Sequence, residues 1–238
     1  MECRTAICDA YYDQGRKSIG LKIDYCEFPD GLLYDLSSGT WGRRDSGTLR
    51  VGITNLLSWS SGTFSMVTFK SVGTSLLRGQ AAGSVEGPLH FDTVRTPVSG
   101  VILRTNEILK HDPRLLNIDP YGSGWFVEVE MRDPRELSLM QKLPEAREQI
   151  AARLRELRVH CFAEFPDREM VEIGVECSAV LVKLNELLDQ SSSGTVVHVV
   201  SDDGSAPIEM ERWSDQTENR VLESRKEGNL YHFIAKKT

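Results

Sequence analysis

The stretch 79–97, GQAAGSVEGPLHFDTVRTP, constrains the fold of this chain more than any other, and Val98-Ser99-Gly100 follows it directly. It contains one run of strand-forming residues, a tight connection and a second run that is closed by a proline-containing turn. Short β-forming runs separated by glycine and proline are typical of a hairpin. The stretch therefore predicts two paired strands within a region of β structure.

Short motifs flank this predicted hairpin on both sides. Upstream, VGIT occupies residues 51–54. The downstream motifs are PVSG at 97–100, Asn106-Glu107, Asp112-Pro113, Asn117 and DPYGSGW at 119–125. At matching intervals, these motifs resemble those of the glycine cleavage H protein and the wider lipoyl-domain family. The resemblance implies an all-β barrel-sandwich hybrid followed by helices, with a hairpin whose tip carries a lipoylated lysine.

The resemblance also sets the register of the hairpin tip. In the family, a glycine opens the first strand, an ESVK-type turn presents the lysine, and PVSG closes the second strand. Counted without gaps from either end, Glu86 falls on the family's glutamate and Leu89 on the carrier lysine. No lysine occurs between Lys70 and Lys110. Because a lipoyl amide needs a primary amine, we expect a carrier scaffold without lipoate. We also expect no metal and no other cofactor.

Composition restricts the classes of function. The formal net charge of −7 argues against a general nucleic-acid or anionic-membrane binder, which needs a basic face. No apolar run approaches the length of a membrane span. The N-terminus contains acidic residues and lacks the apolar region of a secretory signal. We therefore expect a cytoplasmic protein with no nucleic-acid and no membrane partner.

The cysteines form an odd set without CxxC spacing. They are Cys3, Cys8, Cys26, Cys161 and Cys177. In a reducing compartment such a set is best interpreted as free thiols and not as a disulfide framework. A metal or redox site formed by the first three is an alternative, although their spacings match no zinc pattern.

Periodicity divides the chain into four segments. Residues 1–28 form an N-terminal extension with little periodicity, and 29–133 contain short strands separated by Gly, Ser and Pro turns, as expected for the H-like domain. Apolar residues recur at near-helical spacing over 134–160. A second domain covers 161–238, and the segment 163–168, AEFPDR, has the composition of a linker.

Two tryptophans give further expectations within the H-like part. Trp41 falls where the family has a core tryptophan, so we expect it to be buried. Residues 55–62 are predicted to form a loop that contains Trp59 and three serines. Trp59 is either packed or an exposed contact residue.

The last third of the chain alternates strands and helices. Predicted strands cover 170–176, 195–200, 221–225 and 230–235, and predicted helices cover 178–189 and 206–217. The order βαβαββ predicts a two-layer α+β domain with both helices on one face of the sheet. The fold class is therefore multidomain.

The C-terminal order resembles the TusA/SirA-type sulfur carriers, whose signature is Gly-x-x-Cys-Pro-x-Pro. Residues 174–177, GVEC, match its first half, and Gly194 and Asp202-Asp203 fall on the family's later glycine and acidic pair. Both prolines of the signature are missing, because Ser178 and Val180 stand in their places. The resemblance implies that Cys177 carries sulfur as a persulfide.

Cys177 is accordingly the candidate catalytic residue. At the start of a helix, the macrodipole and the free backbone N–H groups favour the thiolate, which is the nucleophile. Ser178 can serve as a capping residue in place of the lost prolines. Glu176 has the opposite effect, since an adjacent carboxylate raises the pKa of the thiol. The alternative is an inert cysteine that belongs to the core.

Three functional hypotheses follow. In the first, the chain is a sulfur-trafficking protein, a sulfur carrier or sulfurtransferase: a non-lipoylated H-like domain docks partners and Cys177 carries the sulfur. Its partners are proteins that donate or accept sulfur, or that bind lipoyl hairpins. In the second, the chain is a non-catalytic interaction or regulatory subunit. In the third, it is a lipoyl carrier of glycine cleavage, against which Leu89 argues. The sulfur donor, the acceptor and the oligomeric state are not defined by the sequence.

Overall fold

The N-terminal half of the chain consists mainly of short strands. The structure, a computed structural model, describes residues 20–88 and 90–238, so Cys3, Cys8 and Leu89 lie outside the described residues. The strands are β1 (Gly20–Ile23), β2 (Cys26–Pro29), β3 (Leu33–Asp35), β4 (Thr40–Asp45), β5 (Thr48–Ile53), β6 (Met66–Phe69), β7 (Ser75–Leu76), β8 (Ala81–Glu86), β9 (Phe91–Arg95), β10 (Gly100–Thr105), β11 (Trp125–Met131) and β12 (Gln141–Lys142). The helices between them are α1 (Asn55–Ser61), α2 (Leu115–Ile118) and two 3₁₀ helices, Glu107–Lys110 and Pro134–Leu139.

These strands form a β-sandwich. One sheet has seven strands in the order β12-β3-β4-β5-β11-β10-β7, and a second sheet has three in the order β6-β8-β9. Alternating apolar residues of β5, among them Val51, point into the space between the sheets. There they pack with Val85, Val94 and Phe126, all fully buried. This sandwich confirms the H-protein-like β fold that the motifs predict for the N-terminal part.

Residues 55–61 differ from the prediction, since they form helix α1 and not a loop. Their serine-rich composition favours turns over helix. Hydrogen bonds from residues that are distant in the sequence stabilise this helix despite its composition. The backbone N–H of Asn55 donates to the hydroxyl of Tyr121 at 3.0 Å, and the side-chain amide of Asn117 donates to the carbonyl of Ser58 at 3.1 Å.

A second hydrophobic core lies between the β1–β2 pair and helix α3 (Leu143–Leu157). Trp41 is completely buried there, as predicted. Cys26 and Cys161 form a disulfide in this core, although they are 135 residues apart in sequence. The expectation that all the cysteines are free thiols is therefore wrong for these two. The fold brings their Cα atoms within 5.0 Å, which no local spacing reveals.

The C-terminal part forms a separate four-stranded sheet. Its elements are β13 (Arg168–Glu172), α4 (Cys177–Asp189), β14 (Val196–Ser201), α5 (Ala206–Gln216), β15 (Arg220–Glu227) and β16 (Leu230–Lys236). The sheet order is β13-β14-β16-β15, with β13 and β14 parallel and the other pairs antiparallel. Residues of both helices share one core with the sheet, including Leu184, Met210 and Phe233. Within the described ranges, no helix is long and apolar enough to cross a bilayer.

Residues 159–167, which we call the connecting segment, lie between the two parts. The ring of Phe165 is 4.7 Å from that of Trp59, and the ring of Phe162 is 4.5 Å from that of His198 on β14. The segment therefore packs against both parts of the chain. Its proline and charged residues are typical of an exposed linker, but its two phenylalanines contact both parts of the chain.

Candidate functional site

The hairpin expected from the sequence is present as β8 and β9. The two strands pair antiparallel as far as Glu86 and Phe91. Beyond them, the backbone N–H of Gly87 donates to the carbonyl of His90 at 3.0 Å and closes the turn. Leu89, which occupies the family's lysine position, lies outside the described residues. The described residues Gly87 and His90 continue the hairpin beyond its last strand pair, Glu86 and Phe91.

The hairpin is fastened to the body of the sandwich near its tip. The hydroxyl of Ser61, the last residue of α1, donates to Asp92 Oδ2 at 2.8 Å. The backbone N–H of Ser65 donates to the carbonyl of Glu86 at 2.8 Å. A Cβ added at Gly87 would lie 2.5 Å from the carbonyl oxygen of Ser61, so the turn needs glycine here. Among the residues that the structure describes, no group of three His, Cys, Asp or Glu residues could hold a metal ion.

The motif residues that resemble the family have structural roles. The side-chain amide of Asn106 donates at 2.7 Å to the carbonyls of Ser123 and Trp125. Asn117 Oδ1 accepts from the backbone N–H of Phe64 at 2.9 Å. Hydrogen bonds of this kind satisfy buried backbone groups in loops that have no secondary structure of their own. These two motif residues therefore hold loops of the sandwich in place.

Cys177 is the first residue of helix α4, directly after Glu176. It is a free cysteine, and only 2% of its surface is exposed. It belongs to the core beneath the helices, together with Val180 and Leu184. The structure thus places Cys177 at a helix start, with its side chain in the core.

The backbone N–H of Cys177 is already occupied. It donates to Asp203 Oδ2 at 2.7 Å. The other oxygen of Asp203 accepts from the backbone N–H and the hydroxyl of Ser205, at 2.8 Å and 2.9 Å, next to the start of α5. The neighbouring Asp202 accepts from the backbone N–H of Gly174 at 2.8 Å. The two adjacent aspartates therefore tie together the loops that precede both helices.

The resulting environment disfavours a thiolate. Burial, followed by the charges of Asp203 and Glu209, raises the pKa of the Cys177 thiol to about 11. The hydrogen bonds from Ser205 and Cys177 hold the pKa of Asp203 below its usual range, so this carboxylate keeps its negative charge beside the cysteine. The helix dipole was expected to lower the pKa of the thiol, but burial and the neighbouring negative charges raise it instead. Glu176, the carboxylate suspected from sequence adjacency, is not among the groups that raise this pKa.

Sequence reasoning thus missed the role of Asp203 and Glu209. The sequence marks Asp202-Asp203 only through the resemblance to the TusA/SirA-type carriers. An aspartate followed two residues later by serine before a helix is a common capping arrangement, and this signal was available. The sequence gives no sign that the carboxylate of Asp203 also accepts a hydrogen bond from Cys177, 26 residues earlier at the start of another helix.

Comparisons with known proteins match the N-terminal part of the chain to one family. The family model of the glycine cleavage H-protein matches residues 32–153, just over half of the chain. A probable glycine cleavage system H protein of Haloarcula marismortui is 38% identical over 110 residues, covering 46% of this chain and 86% of the relative. A glycine cleavage system H protein of Gloeobacter violaceus is 33% identical over 125 residues, covering 52% of this chain and 96% of the relative.

Among solved structures, a crystal structure of a glycine cleavage system H protein from Mycobacterium marinum is similar. It is 28% identical, with a TM-score of 0.42, and the match covers 44% of this chain and 87% of that one. The family model ends before the connecting segment, so the C-terminal sheet and its helices lie outside the matched region. On the sequence match over residues 32–153 and the sandwich that these residues form, the chain belongs to the glycine cleavage H-protein family.

Proposed function

We propose that this protein is a non-lipoylated member of its family that acts by docking protein partners through its H-type domain. The observation that carries the proposal is the absence of lysine between Lys70 and Lys110, in a chain that keeps the motifs on both sides. The relatives are named as components of a glycine cleavage system, and a component of such a system works alongside other proteins. Docking is the part of that role that needs no lipoyl group.

The chemistry of the hairpin supports this proposal. Lipoate is attached as an amide, which requires a primary amine that can be deprotonated and acylated. The basic side chains of the hairpin are the guanidinium of Arg95 and the imidazole of His90, and neither forms a stable lipoyl amide. Arg95 is engaged, since its Nη1 donates to the carbonyl of Gly79 at 2.8 Å.

Intact-mass analysis after co-expression with a lipoate ligase tests this proposal. We expect no lipoyl adduct on the wild-type chain. Leu89→Lys restores an amine at the position of the family's lysine, and we expect it to gain one adduct. His90→Lys is the matched control and is expected to gain much less, because the amine stands one residue away. An adduct on the wild-type hairpin would overturn the proposal.

Sulfur carriage by Cys177 is a second candidate function. The position of Cys177 at the first residue of α4 favours it, because helix starts stabilise anions. In loading, the Cys177 thiolate would attack the outer sulfur of a donor persulfide, forming a new S–S bond while the donor leaves as its thiolate. In delivery, an acceptor thiolate would take that outer sulfur and Cys177 would leave as a thiolate. No external oxidant is needed.

Burial and the raised pKa oppose this candidate in the described conformation, so loading would require Asp203 to move away from Cys177. Incubation with a cysteine desulfurase and cysteine, followed by mass spectrometry, tests it. If Cys177 carries sulfur, the wild type gains one sulfur atom and Cys177→Ser gains none. Sulfur found on Cys3 or Cys8 and never on Cys177 would overturn the assignment of sulfur carriage to Cys177.

A further inference from the structure

A cavity lies where the β1–β2 turn, the C-terminal end of α3 and strand β15 meet. Its volume is about 410 Å³. The side chains that matter here are Arg155 and Arg158 at the end of α3, His160 in the connecting segment and Arg225 on β15. We call it the junction cavity, because both parts of the chain contribute to its wall. It is separate from the hairpin tip and from Cys177.

Unusual backbone conformations are concentrated around this cavity. Among the described residues, four non-glycine residues have a positive φ, and three of them line the cavity: Asp24 at 45°, Tyr25 at 67° and Arg158 at 51°. Glycine or asparagine normally occupies such positions in two-residue hairpin turns and after helices. Strained residues with long side chains persist where the surrounding structure holds them, and they cluster at binding sites.

Three arginines and two acidic residues line the cavity, so its positive charges exceed its negative ones by one. The side chains of Arg155 and Arg158 have no ion-pair partner among the described residues, whereas Arg153 on the same helix pairs with Glu156 at 2.8 Å. Of the two acidic residues in the wall, Glu227 is shared between Arg225 at 3.4 Å and His160 at 3.3 Å. The other is Asp24.

Arg225 is held rigidly in the wall. Its guanidinium lies 3.7 Å from the ring centre of Tyr25 and 4.6 Å from that of Phe162. Only 9% of its side chain is exposed, and its Nη2 donates to Glu223 and to the carbonyl of Cys161. Its Nε has no hydrogen-bond partner among the described residues. These contacts fix the position of the Arg225 side chain at the edge of the cavity.

From these observations we propose that the junction cavity binds a small oxyanion, a phosphate or carboxylate group, between Arg155 and Arg158. The planar guanidinium donates two parallel hydrogen bonds and matches both groups in shape. Arg225 is fixed between two rings and paired with Glu223 and Glu227, so Arg155 and Arg158 are the guanidinium groups that an anion would contact. Tyr25, an exposed aromatic residue at the same cavity, offers an apolar surface to the body of an organic anion.

Isothermal titration calorimetry on the full chain at constant ionic strength tests the proposal, with inorganic phosphate in one experiment and benzoate in another. We expect one saturable site for at least one of the two anions. Phosphate alone would identify an inorganic or phosphorylated ligand, whereas benzoate alone would identify a carboxylate with an apolar body. Arg155→Gln and Arg158→Gln should each weaken binding at least about fivefold, as expected for a lost charge-assisted hydrogen bond.

Arg147→Gln is the matched control, because Arg147 is an exposed arginine on the same helix outside the cavity. It should leave binding unchanged, and all three variants should keep the thermal unfolding of the wild type. The proposal is overturned if neither anion saturates a site, or if Arg147→Gln weakens binding as much as the cavity variants. Neither result bears on lipoylation or on persulfide formation.

Discussion

Asp203 Oδ2 lies 2.7 Å from the backbone nitrogen of Cys177 and accepts its N–H. A helix start that could stabilise a thiolate is therefore already occupied by a carboxylate of the same chain. The same aspartate also accepts from Ser205. Because a fixed negative charge opposes a second one nearby, this single contact accounts for part of the raised pKa of the thiol.

We expect Asp203→Asn to lower the pKa of Cys177, because the amide keeps an acceptor oxygen but removes the charge. The pH dependence of the alkylation rate of Cys177 measures this pKa. Each unit of decrease multiplies the thiolate fraction by about ten as long as the pH stays below the pKa. Both Asp202→Asn and Glu176→Gln should have much smaller effects, since neither carboxylate contributes to the raised pKa. Equal effects of all three substitutions would contradict the assignment to Asp203.

The Cys26–Cys161 disulfide should stabilise the protein substantially. Closing a loop between residues 135 apart restricts the unfolded chain, and removing a disulfide of this kind typically costs about 2–5 kcal/mol. We therefore expect the double variant Cys26→Ser/Cys161→Ser to have a lower free energy of unfolding in urea under non-reducing conditions. The same comparison in the presence of a reductant should eliminate the difference.

Peptide mapping checks the pairing itself. After denaturation without reductant, alkylation should modify Cys177 but leave Cys26 and Cys161 unmodified. Alkylation of all three at equal rates would mean that the disulfide does not form.

Acid should destabilise the protein through His198 and His232. The rings of these two residues stack, with His198 Nε2 3.0 Å from His232 Nδ1. Burial lowers the pKa of both, and the charge of His198 lowers that of His232 further, although Glu169 and Glu227 partly oppose the shifts. Since the unfolded chain then binds more protons than the folded one, stability falls as the pH drops below about 6.5 and is retained above it.

The double variant His198→Gln/His232→Gln should lose this part of the pH dependence, as measured by urea unfolding between neutral and acidic pH. The exposed His111 offers a matched control, and His111→Gln should leave the curve unchanged. A wild-type stability that rose on acidification through this range would have the wrong sign for the proposed cause.

Asn117 should be essential for the position of helix α1. It is buried, and its side chain bonds the backbone N–H of Phe64 together with the carbonyls of Ser58 and Gly62. Asn117→Ala leaves these groups without a partner, and we expect a loss of about 1–3 kcal/mol or more in the free energy of unfolding.

Urea unfolding measures the effect of Asn117→Ala. Asn229→Ala, in the exposed turn between β15 and β16, is the control and should change stability little. Similar losses for both variants would mean that the contacts of Asn117 contribute no more than an exposed turn residue.

The N-terminal sandwich was predictable because the information that specifies it is local. Alternating apolar residues mark a strand such as β5, and turn residues separate such strands at short intervals. Motifs such as DPYGSGW also occupy short stretches, so their spacing survives in a single sequence. The position of Leu89 in the hairpin register, and the absence of a nearby lysine, are likewise properties of the sequence alone.

The tertiary structure decided the features that depend on distant partners. It paired Cys26 with Cys161, turned residues 55–61 into a helix and packed the connecting segment against both parts of the chain. It also brought Asp203 to the N–H of Cys177. Helix starts and cysteines can be read from a sequence, but the solvent exposure and the neighbouring charges that set a thiol's reactivity exist only after the chain has folded.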